Sequence, residues 1–257
     1  MERTFHRPIA SVCIMVSILM ATCDFGGKAS AQTHTGFQDM IYQAYVHNRM
    51  GLWESTLQAM EFQYGNRPDD QLLYDILLAQ YGLIGYYLGT EQKQAAAALL
   101  KKAENYLDKM EKIPGYEAQS SLFKAAFNAF HIGLRPIRSV QLGPPSYGLI
   151  SRGIELDPDY ARGYIERGNL LYYAPAVFGG SKSKALEYYL KAIDMMEASM
   201  AYNQRWLYLG TLVSVSNAYA ETGDTESAIA ILKKALTFEP DFQWVRDELL
   251  PGLQKNQ

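Results

Sequence analysis

Cysteine is nearly missing from this chain, whose 257 residues hold only Cys13 and Cys23. Both lie in an N-terminal stretch that reads as removed on export. A chain cut after Ala31 has no thiol left for a disulfide, a nucleophile or a thiolate metal site. Histidine is scarce as well, and His34, His47 and His131 have no second histidine within four positions, so a helical metal pair is not available. The patterns HExxH, GxxxxGK[ST], GxGxxG and GxSxG do not occur. No catalytic residue, metal site or cofactor is therefore assigned, and the sequence reads as non-enzymatic.

An excess of positive charge is absent too. Lysine and arginine number 24 against 27 aspartates and glutamates. Without residues 1–31 three of the former and two of the latter go, which leaves a net charge of −4. With no dense cationic run to displace counterions, nucleic acid is excluded as a partner. Long apolar runs are limited to Ile9 through Thr22, about 14 residues, where a membrane-spanning helix needs ~20. Preceded by Arg3 and Arg7 and followed by Ala29-Ser30-Ala31, this run reads as a secretory signal peptide over 1–31. A second reading stays open, because Leu19 to Cys23 is similar to a lipoprotein box with Thr22 at a place usually held by a smaller residue, and lipidation at Cys23 would then anchor the chain. Residues 32–36 and 252–257 read as a flexible start and a disordered tail, and 37–251 as one domain.

What the chain does have is helical punctuation at fixed spacing. Ser216, Tyr219, Gly223, Ala228, Leu232, Ala235 and Pro240 follow one another at +3, +4, +5, +4, +3 and +5. Small residues let two helices of a pair approach, while the large ones fill the gap to the next pair. This stretch resembles the tetratricopeptide repeat (TPR), a helix-turn-helix unit of about 34 residues. The same register recurs more weakly upstream, through Ala44, Gly51 and Met60, then Ala96, Leu100 and Ala103, then Ala126, Gly133, Ile150 and Gly153, then Gly168, Ala185 and Ala192. The resemblance implies an all-α, right-handed α-α superhelix, a TPR-like solenoid of about five helix pairs, with an amphipathic capping helix from Asp241 to Leu250 stopped by Pro251-Gly252.

Two departures from the register stand out. Residues 134–144, with Pro136 and Pro144, read as an irregular inserted loop with a helix starting near Ser146. Residues 174–180 add five positions between Gly168 and Ala185. Gly179, Gly180, Ser181 and Lys182 there form a candidate anion-binding loop, with free amides and a cation before a helix start. The bland alternative is a glycine turn, a Ser181 cap and a Phe178 plug against the neighbouring pair.

In TPR proteins the first helices of successive pairs line a concave face that holds an extended peptide or a helix. By register that wall takes Arg162, Ile165, Asn169, Tyr172 and Tyr173 from the fourth pair, and Val213, Asn217 and Glu221 from the fifth. Asn169 and Asn217 occupy equivalent places, where an amide both donates to and accepts from peptide backbone. The expectation is an exported interaction or scaffold module in the periplasm or envelope of a Gram-negative bacterium, with a protein or peptide partner. The alternative is a small-molecule-binding subunit associated with a transport system.

Overall fold

The computed structural model describes residues 34–199 and 204–255, so the signal-peptide and Cys23 readings lie outside the described residues. Ten α-helices form five consecutive pairs: α1 (His34–Val46) with α2 (Met50–Asn66), α3 (Asp70–Gly89) with α4 (Lys93–Met110), α5 (Glu117–Leu134) with α6 (Ser139–Leu156), α7 (Ala161–Tyr173) with α8 (Lys182–Ser199), and α9 (Arg205–Glu221) with α10 (Thr225–Phe238). A π-helical turn (Val245–Leu249) leads into α11 (Leu250–Lys255). Among the described residues there is no strand, and the architecture is the expected TPR-like solenoid.

The register residues sit where close packing requires them. Ala228 and Ala235 are fully buried, Leu232 nearly so, and Ser216 Oγ donates to the Ala228 carbonyl at 3.0 Å, which pins α9 to α10. Helix starts follow their caps, since Asp69 accepts from the Leu72 amide and Asp224 from the Ser227 amide.

Several boundaries differ from the sequence reading. The first break falls at residues 47–49, ahead of the register residue Gly51, and puts Asn48 at φ 50°. Residues 34–36 are the first turn of α1. Residues 139–144 are helical, with Pro144 and Pro145 inside α6. The two prolines remove bonds to the carbonyls of Val140 and Gln141, and both of these residues are exposed, so water takes the bonds' place. At the other end the helix runs on through Pro251 and Gly252 to Lys255. The π turn just before Pro251 widens the backbone where the proline ring would otherwise meet the preceding turn.

The solenoid also closes. Helix α1 packs on α9, so the first pair touches the last. Tyr45 of α1 lies 6.0 Å from Trp206 and 5.1 Å from Phe242, and Trp206 meets Trp53 edge-on at 5.0 Å. Tyr42 donates to Glu239 at 2.7 Å across the same junction, and Arg205 pairs with Asp39 at 2.6 Å. Helix α3 is covered on all sides as a result, with nine successive residues, Leu72 to Gln80, buried.

Gly82 makes that junction possible. A Cβ there would stand 2.6 Å from Trp53 and 2.8 Å from Trp206, whereas one on Gly85, a turn later in the same helix, would meet nothing within 4 Å. Gly82→Ala is expected to destabilise the fold by about 1–3 kcal/mol through overpacking. Gly85→Ala should instead stabilise it by roughly 0.5–1 kcal/mol. Urea unfolding of both variants checks this, and a Gly82→Ala protein as stable as the Gly85→Ala one would contradict the closed junction.

Candidate functional site

Closure changes what the expected groove wall is made of. Arg162 is 0% exposed, and Ile165 and Val213 are buried as well. The Arg162 guanidinium stacks on Phe123 at 3.7 Å and on Tyr81 at 4.6 Å, and its Nε donates to Glu166 at 3.3 Å. Its two terminal nitrogens have no hydrogen-bond partner among the described residues, so the aromatic faces carry the charge that water would otherwise solvate. Burial works against that charge, but Glu166 and the surrounding tyrosine hydroxyls hold the Arg162 pKa above its ordinary value. Burial pushes the Glu166 carboxyl upward, and Arg162 only partly offsets this.

Asn169 joins the same network. Its amide donates to Tyr81 at 3.2 Å and accepts from Tyr189 at 2.8 Å, so the side chain expected to capture peptide backbone is already engaged. Tyr74 and Tyr160 share a hydrogen bond of 2.6 Å nearby. Arg162 and Ile165 are therefore interior groups and not an open wall, and Asn169 is half-buried and engaged beside them. His47, without a histidine neighbour in the sequence, lies half-buried in the turn after α1 and is bonded to Gln43 at 3.0 Å.

The remaining wall residues gather at the C-terminal ends of α7 and α9. Tyr172 donates to Glu221, Lys182 pairs with Glu221 at 3.0 Å, and Lys182 also donates to the Tyr172 carbonyl at 2.7 Å. The bonds from Tyr172 and Lys182 hold the Glu221 carboxyl below the usual carboxylate range. Tyr173 is 78% exposed beside this cluster, and Asn217 is exposed one turn before Glu221.

Three amides of the glycine loop are already used. The amides of Gly179, Gly180 and Ser181 donate to the carbonyls of Ala176, Pro175 and Leu171, and Lys182 is engaged as described. These contacts occupy the three loop amides and the Lys182 ammonium on which the anion reading relied. Gly179 takes φ 85°, and a Cβ on Gly180 would lie 1.8 Å from the Ala174 carbonyl oxygen, so the pair is needed for the turn. Ser181 does cap α8, accepting from the Lys184 amide at 3.3 Å. Phe178 is half exposed and so is not a buried plug.

A cleft of about 830 Å³ opens elsewhere, where the start of α7 meets the ends of α8, α9 and α10. Tyr160, Met196, Arg205, Tyr208, Lys233 and Phe238 are among its lining residues. None of these entered the sequence reading, because four helices of two pairs bring them together and no local spacing marks them.

A family model described as tetratricopeptide repeat matches residues 210–242. The chain is thus similar to the tetratricopeptide repeat over those residues, within a TPR-like solenoid. No protein of curated function matches the sequence. Two solved structures share the fold. A thermophilic TPR protein of Thermus thermophilus, TTC0263, superposes with a TM-score of 0.56 at 15% identity, over 82% of this chain and 95% of that one. The HusA haemophore of Porphyromonas gingivalis does so with a TM-score of 0.59 at 20% identity, over 72% and 92%.

The buried ion pair of this TPR-like solenoid can be tested directly. Glu166→Gln leaves a guanidinium buried without its carboxylate and is expected to cost about 3–5 kcal/mol. Adding Arg162→Met should recover most of that loss, since no buried charge then remains without a partner. Chemical denaturation of the single and double variants gives the comparison. A double variant no more stable than Glu166→Gln alone would show that Arg162 holds the fold by its stacking and not its charge pairing.

Proposed function

We propose that this TPR-like solenoid is a non-catalytic interaction module of the cell envelope, exported after signal cleavage, and that it docks its partner at the insertion-bearing end of the third and fourth pairs. One observation carries the reading. Eight large hydrophobic side chains are exposed among the described residues; Ile137, Val140, Val177 and Phe178 lie in the two insertions, and Tyr173 immediately precedes the second. Repeat packing does not need these side chains, and exposed aromatic and aliphatic clusters are characteristic of protein contacts. The partner this surface fits is a protein with an apolar strip, bordered by groups that reach Glu221 and Asn217. The buried titratable groups bond to one another, which supports a packing role for them rather than catalysis.

Photocrosslinking from positions 173 and 178 should trap the same envelope protein, while a probe at exposed Lys101 on α4 should trap none. The double variant Tyr173→Ala, Phe178→Ala should lose the capture and keep its helical circular dichroism. Equal capture from all three positions would count against a docking end.

The alternative, a small-molecule-binding subunit of a transport system, is favoured by the cleft. Its volume lies in the upper part of the ~300–1,000 Å³ range of small-molecule sites, and one protein sharing this fold is a haemophore.

A further inference from the structure

The cleft at the start of α7 has a composition that narrows its ligand. Tyr208 directs its hydroxyl to Glu197 at 2.6 Å, and Tyr160 shares its own with Tyr74, so both phenols have their polar ends bonded within the protein. What they add to Met196 and Phe238 is ring surface, and Phe238, edge-on to Tyr208 at 4.9 Å, stays partly exposed. The lining is mostly apolar.

Its charges are unequal in what they have left to offer. Glu197 also receives Lys234 at 2.6 Å, and Arg205 pairs with Asp39 at 2.6 Å while lying over the Tyr42 ring at 3.8 Å. Lys233 is different. It lines the same cleft, one residue from Lys234, and has no carboxylate partner among the described residues. Asp159 is the one further charge of the lining, so three cations, Arg205, Lys233 and Lys234, stand against two carboxylates, Asp159 and Glu197, and that excess selects for a negative head on an apolar body.

Resting on the small-molecule reading above, we infer that the cleft binds an amphipathic organic anion, with its carboxylate at Lys233 and its apolar body along Met196, Tyr208 and Phe238. The body gains from leaving water in proportion to the area it buries, whereas the head contributes an attraction that weakens with salt, because Lys233 is exposed.

The probe is dodecanoate, titrated calorimetrically into the mature chain below its micelle concentration, with dodecyltrimethylammonium as the cationic counterpart. Dodecanoate should bind one to one, at least tenfold more tightly than the cation. Lys233→Glu should weaken it about tenfold or more, and Lys101→Glu, a surface change on α4, should leave it unaltered. Ala230 is an exposed residue of α10 on the cleft wall, so Ala230→Trp fills the space without disturbing the core and should abolish binding. Equal affinity for the two amphiphiles, or indifference to Lys233→Glu, overturns the anion assignment; the small-molecule reading survives if Ala230→Trp still blocks binding. Failure of both amphiphiles to bind, or binding that survives Ala230→Trp, overturns the reading and the inference together.

Discussion

The packing of α1 on α9 is the constraint from which the rest of this structure follows. An open TPR solenoid lets the first helix of each pair face a channel, with one stripe in water. Here Tyr45, Trp53, Trp206 and Phe242 join the first pair to the last, and the inner helices face one another instead. Helix α3 then needs an apolar surface all round, which is what a fully enclosed helix requires. The close approach at Gly82 belongs to the same constraint, because two indoles fill the place a larger residue would take.

Enclosure also explains the polar interior. Arg162, Glu166 and Asn169 stand at positions that would be wet in an open superhelix, and closure removes them from water. The fold keeps them by stacking the guanidinium between Phe123 and Tyr81, pairing it with Glu166, and bonding Asn169 to Tyr81 and Tyr189. That network ties α3, α5, α7 and α8 in one arrangement. A shift of α7 by one turn would leave each of these groups buried without its partner, at a cost well above that of losing a surface contact.

The repeat was legible in the sequence because close packing writes itself in small residues at fixed spacing; Ala228, Leu232 and Ala235 are buried where the register puts them. Closure was not, since it joins residues far apart, such as Tyr42 with Glu239. A signal for it existed. From Leu72 to Ile84 the third helix has almost no polar stripe, and a helix apolar on every side has no wall to offer a groove. Register alone put Arg162 and Ile165 on that wall, and tertiary contacts overrode it. The prolines of α6 misled for a different reason, because their cost depends on whether the orphaned carbonyls reach water, and at Val140 and Gln141 they do.

A solenoid that closes on itself gives up its groove and leaves its ends as the open surfaces. Helix α7 carries one end of each remaining surface: Tyr160 and Ala161 at its start border the cleft, and Tyr172 and Tyr173 at its finish border the insertion end. Thirteen residues at 1.5 Å each place these about 20 Å apart. Between them the helix is buried at six successive residues from Ala161 to Glu166 and is tied by Glu166 and Asn169 to its neighbours. Coupling between distant sites requires an element with two arrangements that both sites bias. A helix held on every side by bonded polar groups and ring contacts has one arrangement, so α7 does not couple the two surfaces at its ends.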